Sequence, residues 1–130
     1  MNKNSNSLDL TLIYPTALMA RNRYSTITQP PLRLAYLSAV ALEKGYSVDV
    51  VDAVGEAIIR FAAWDKNDQF ITQGLSINDI IDKVNPKTNF IGIICMFTRS
   101  WSIMRRLINC LRESSLKNDH RWMRTHNLNV

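Results

Sequence analysis

Few side chains in this chain of 130 residues are of a type and spacing that could do chemistry. Thr98 and Ser100 follow a continuous apolar run, "NFIGIICMF", at 89–97. Their hydroxyls can donate hydrogen bonds to a phosphate-bearing or amide-rich ligand, cap the helix that follows, or do both. Asp52 closes the stretch "YSVDVVDA" at 46–53, where its carboxylate can accept from a ligand hydroxyl or stabilise a nearby helix start. Phe97 and Trp101 can wall a flat cofactor or belong to the core.

Other chemistries lack their parts. The two histidines, His120 and His126, lie in the C-terminal tail, so residues 1–113 offer no imidazole as base, nucleophile partner or metal ligand. The two cysteines, Cys95 and Cys110, have no metal-type or redox-type neighbour at short spacing and read as reduced core thiols. No GxGxxG and no P-loop pattern follows any apolar run, which disfavours the usual dinucleotide and nucleoside triphosphate modes. Acid-base catalysis by two carboxylates stays open, although nothing in the sequence directs a pair at a shared site. The charge of +5 is thinly spread, with 13 Lys/Arg against 10 Asp/Glu over residues 1–113. No basic block or nucleic-acid motif accompanies it, so a nucleic-acid partner is not expected.

The elements that must position these residues can be read from periodicity and turn chemistry. A composition of 46% hydrophobic and 21% charged residues suits one soluble domain or part of one. Residues 1–7, "MNKNSNS", are polar and read as a disordered N-terminus. "LDLTLIY" at 8–14 reads as a strand ended by Pro15. Residues 15–31 read as a long connection without sustained periodicity, of the length that connections reach when functional or mobile. Pro30 and Pro31 then open a helix with Leu34, Leu37, Val40 and Ala41 as its apolar stripe, and Lys44-Gly45 ends it. "YSVDVVDA" is the second strand, parallel to the first through a right-handed crossover.

Residues 54–75 are ambiguous: "VGEAIIRFAAW" carries helical spacing at Ile58, Ile59 and Ala62, while "DKNDQFITQGL" is turn-like. Ser76 with Asp79 forms a capping-box pattern before Ile77, Ile80, Ile81 and Val84, a stripe that Pro86 terminates. The run 89–97 has the unbroken apolarity of a strand covered on both faces, and is expected to be the most central one. A helix with Trp101, Met104, Leu107, Ile108 and Leu111 as its stripe follows. The order β-α-β-α-β-α predicts an α/β fold with an open parallel sheet, incomplete at three β-α units. Residues 8–113 form this partial domain and 114–130 a divergent or disordered tail. In such sheets ligands bind beyond the carboxyl ends of the strands, which directs attention to residues 15–31, 52–56 and 96–101. The last strand is left with an open edge that invites a partner chain. The N-terminal apolar run is too short for a signal segment or a bilayer span, so no membrane association and a cytoplasmic location are expected.

The stretch "PPLRLAYLSAVALEKGYSVDVVDAVGEA", with "ITQGLSINDIIDKVNPKTNFIGIICMFTRSW" after it, resembles the N-terminal cobalamin-binding domain of cobalamin-dependent radical S-adenosylmethionine enzymes. The resemblance covers about residues 8–113. It implies a flavodoxin-like (Rossmann-like), doubly wound parallel sheet with a corrin ring lying across the strand tips, in reach of Pro31, Leu32, Asp52, Ala53, Met96, Phe97, Thr98, Ser100 and Trp101. Many members of that family lack the Asp-x-His-x-x-Gly motif that supplies a lower axial histidine elsewhere, and it is absent here too. Arg33 stands where the family tends to place a small residue. The family's fourth and fifth strands are not recognisable after Glu113. Its CxxxCxxC iron-sulfur segment is absent from this sequence, so no cluster and no catalytic residue are assigned. The expected function is a corrinoid-binding module. The alternatives are a flavodoxin-like regulatory or interaction domain without cofactor and, needing a catalytic set that is not found, an enzyme acting alone.

Overall fold

The computed structural model describes residues 7–22, 30–67 and 69–118, the last three without their side chains. The expectations for residues 1–6, for the tail beyond Asn118 and for His120 and His126 lie outside the described residues.

Among the described residues six strands and three α-helices follow one another: β1 Leu8–Tyr14, β2 Ala17–Ala20, α1 Leu32–Glu43, β3 Val48–Asp52, β4 Phe61–Ala63, β5 Phe70–Gln73, α2 Ile77–Lys83, β6 Thr88–Ile93 and α3 Trp101–Asn118. The main sheet is parallel with order β3-β1-β6. This is the expected α/β arrangement of flavodoxin-like topology, restricted to three parallel strands. Register pairs Ile13 with Val51 and Ile93, and Leu12 with Val50 and Gly92, so these two sets point to opposite faces of the sheet. On the first face Ile13, Val51, Ile80 and Leu107 form the core, with Ile91, Ile93, Ile81 and Leu111 around them. That face is the one covered by α2 and α3. The second carries α1, which packs on β1 and β3 and buries Leu34.

Helix ends follow local chemistry. The Pro31 carbonyl accepts from Leu34 N–H at 2.9 Å and Ala35 N–H at 3.2 Å, opening α1. At its far end Gly45 sits at φ 85°. Gly45 N–H donates to Leu42 O and Tyr46 N–H to Ala41 O, both at 3.0 Å, the paired bonds of a Schellman stop. Ser76 Oγ accepts from Asp79 N–H at 3.2 Å and caps α2 as its spacing indicates.

Five expectations are corrected or settled. Residues 15–31 are not all connection, since Ala17–Ala20 is a strand. Second, the ambiguity of residues 54–75 is settled against a helix at its start: a 3-10 turn at Gly55–Ala57 leads into β4, which pairs antiparallel with β5, and β5 with β2. Third, β1 is the central strand and β6 lies at one end of the sheet, with Phe90 70% exposed. Apolarity at 89–97 marks surface that calls for burial, without saying how many neighbours the strand has. Fourth, Leu37 and Val40 are exposed, because the face of α1 toward the sheet runs through Leu34, Ser38 and Ala41. Finally, α3 continues past Glu113 to Asn118.

Candidate functional site at the strand tips

Parallel strands bring the ends of β1, β3 and β6 to one edge of the sheet, and α1, α2 and α3 all begin there. The chain leaves β1 toward β3 with α1 on one face and returns to β6 with α2 on the other. The topological switch therefore falls between β1 and β6, where open α/β sheets bind ligands.

The edge is not bare. Tyr14, Pro15 and Thr16 lead from β1 straight into β2, and the small sheet stands over the tips of β1 and β3. Val54 is buried with Ala17 and Met19, flanked by Tyr14 and Ile71. The Thr16 hydroxyl donates to Leu75 O. Ala53 is fully buried: its N–H donates to Tyr14 O at 3.0 Å and its carbonyl accepts from Leu75 N–H at 2.8 Å. Gly74 makes this closeness possible, since a Cβ there would lie 2.6 Å from Ala53 O, and its φ is 124°.

The nine residues named from the sequence thus separate into two groups. Ala53 belongs to the core. Half-buried Asp52 is engaged by its own turn, with Oδ1 accepting from Gly55 N–H at 2.9 Å. Pro31 serves as the N-cap of α1. The remaining six stand at open surface or beside it. Leu32 begins α1 with 66% of its area exposed, and Met96, Phe97 and Trp101 are 46%, 53% and 51% exposed. Ile94 N–H still donates to Ile13 O at 3.0 Å; beyond it the chain leaves the sheet and turns through the 3-10 segment Thr98–Ser100 into α3. That segment has no side-chain capping bond, and the hydroxyls of Thr98 and Ser100 accept and donate nothing among the described residues. Ser100 N–H donates to Phe97 O at 3.0 Å, and the Arg99 guanidinium lies 5.9 Å from the Phe97 ring centre.

The segment after β6, which β2 touches at Thr98–Ser100, presents apolar and aromatic surface with two hydroxyls that make no hydrogen bond among the described residues. Such a surface suits one face of a flat, largely apolar macrocycle with polar groups at its rim. Among the described residues no group of His, Cys, Asp and Glu is arranged to hold a metal ion. No described helix is long and apolar enough to cross a membrane.

Sequence reasoning missed a second constellation. Asp65 Oδ1 accepts from Gln69 N–H at 3.0 Å and closes the β4–β5 turn. This hairpin brings Arg60 within 2.6 Å of Asp79 Oδ2 and Trp64 under Arg106, 5.4 Å from ring centre to guanidinium carbon. The "WDKNDQ" turn formers between two short apolar pieces were its only signal.

No family model and no solved structure matches the chain. Among curated proteins it is similar to the cytidylyl-2-hydroxyethylphosphonate methyltransferase of Streptomyces wedmorensis, with 30% identity over 98 residues. That stretch takes in 75% of this chain and 18% of the methyltransferase, so the chain is related to a small part of that enzyme.

Proposed function

We propose that this chain is a corrinoid-binding module, related to the cobalamin-binding domains of radical S-adenosylmethionine methyltransferases. The observation that carries the proposal is the exposure of Met96, Phe97 and Trp101 at the topological switch, where the chain leaves β6 after Ile93 and enters α3 at Trp101. Similarity to a methyltransferase over 98 residues and the motifs of the sequence support the same reading. A corrinoid supplies an organometallic centre able to carry a one-carbon group. The chain's own part is to seat the ring. Phe97, Trp101 and Met96 exclude water from one face, Leu32 at the start of α1 extends that surface, and the Thr98 and Ser100 hydroxyls bond to amide groups at the rim. Asp52 and Ala53 act behind the site, fixing the β3 tip. A further strand, from this or another chain, pairs with the outer edge of β6.

A second reading, an interaction domain of the same fold without cofactor, is favoured by the roof over β1 and β3 and by the exposed stripe Leu32, Tyr36 and Val40 on α1. Titration of hydroxocobalamin with the protein separates the two. A saturable change in the corrin absorption bands supports the module. An unchanged spectrum at protein concentrations up to about 100 μM, where a binding free energy beyond about −6 kcal/mol would register, rejects it.

A further inference from the structure

Between the small sheet and the beginnings of α2 and α3 lies a cavity of about 290 Å3 whose wall includes Arg60, Trp64, Asn78, Arg106 and Cys110. None of the residues assigned to the corrin surface lines it. Two arginines and no carboxylate belong to the wall. Arg106 is held by the Trp64 ring at 5.4 Å and pairs with no acid among the described residues. A guanidinium braced against an aromatic face keeps its N–H edge available for a planar, forked contact. Arg60 is fixed through Nη1 by Asp79, at 2.6 Å, which leaves its other nitrogens outside that bond. The helix α3, which carries Arg106, has no acid in its first turn. Two anchored guanidiniums facing one small space, Arg106 without an acid partner among the described residues, form a receptor for an anion.

We propose that this cavity binds a tetrahedral oxyanion, a phosphate or phosphonate group carried on a small molecule. Its volume lies at the lower limit of ligand pockets, which run from about 300 Å3 upward, so it admits such a group with a short substituent and not a macrocycle. The Arg106 fork and the Arg60 fork contact the oxyanion from two sides, and Asn78 at the start of α2 donates an amide N–H. The inference is independent of corrinoid binding.

The test is titration of the whole chain with inorganic phosphate, methylphosphonate and a nucleoside 5′-monophosphate, followed by the indole N–H resonance of Trp64. At least one of the three is expected to shift that resonance saturably below about 10 mM. Tightest binding by inorganic phosphate identifies a free-ion site, and tighter binding by either organic probe identifies an organic phosphate or phosphonate. Arg106→Met is expected to weaken binding about tenfold or more and Arg106→Lys about fivefold, because lysine keeps the charge and loses the fork. Arg99→Met, outside the cavity, is expected to leave affinity within about twofold. The far-ultraviolet spectrum reports folding, and Arg106→Lys carries the test should Arg106→Met not fold. No saturable shift with any probe, unchanged affinity in Arg106→Lys, or an equal loss in Arg99→Met overturns the proposal.

Discussion

The Asp52 carboxylate folds back on the turn that follows it: Oδ1 accepts from Gly55 N–H at 2.9 Å, and a Cβ on residue 55 would lie 2.8 Å from Asp52 Cγ. The β3 tip is therefore built from a pair, an acid that caps the turn and a residue small enough to lie beneath it. Asp52→Ala is expected to cost about 1 kcal/mol, the net worth of one such bond. Gly55→Ala should cost a similar amount in the native chain and much less in the Asp52→Ala background, since its clash is with that carboxylate. Urea unfolding of the four proteins measures the cycle. Additive costs would show that the two residues act separately.

Gly74 and Gly45 both have positive φ, at 124° and 85°, yet they predict different losses. At Gly45 a Cβ meets nothing within 4 Å, so Gly45→Ala bears only the backbone preference, about 1 kcal/mol. At Gly74 the same atom meets Ala53 O at 2.6 Å and pushes the small sheet away from β3. Gly74→Ala should exceed Gly45→Ala by at least about 1 kcal/mol in thermal or urea unfolding.

Ser76 and Arg60 both act on Asp79. The Ser76 hydroxyl donates to Oδ2 at 2.8 Å and, with the Arg60 guanidinium, holds the Asp79 carboxyl below its ordinary value of 3.8. A carboxyl depressed on folding contributes stability that is present above its unfolded pKa and is lost as pH falls through the folded one. Its contribution should fade below about pH 4. Ser76→Ala should raise the Asp79 pKa, as read by carboxyl carbon NMR, and Arg60→Gln should raise it less. The reverse order would contradict the assignment of Ser76 as the stronger influence.

Leu34 is 3% exposed, whereas Leu37 and Val40 are 51% and 53% exposed. Leu34→Ala should cost about 2–4 kcal/mol, and Leu37→Ser or Val40→Ser less than about 0.5 kcal/mol each. Comparable losses at all three positions would place a covering layer over the outer side of α1.

What was legible in the sequence is what local chemistry decides. Gly45 announces the end of α1 and Ser76 with Asp79 the start of α2, because each works through bonds to backbone a few residues away. The three parallel strands were legible because β-branched runs separated by helix signals allow few other arrangements. The β2-β5-β4 sheet was not, since its strands have only three or four residues and the spacing of Ile58, Ile59 and Ala62 imitates a helix. The packing face of α1 was misread for a related reason. With Leu32, Leu34, Tyr36, Leu37, Val40 and Leu42 the helix is apolar on all sides, and a periodicity argument needs a polar side to set the direction. At the strand tips, sequence identified the right edge but not the roof. Only the coordinates separate Ala53, sealed beneath Leu75, from Phe97 and Trp101, open to solvent.

The most direct test of the central claim is the hydroxocobalamin affinity of the unaltered chain beside that of Phe97→Asp, read from the corrin bands. Phe97 is exposed, so the substitution should leave the melting transition unchanged within about 0.5 kcal/mol. The account predicts saturable binding by the unaltered chain and a loss of about tenfold or more when a carboxylate is placed on the apolar surface. Equal affinity in the two proteins, or no binding by either, would contradict it.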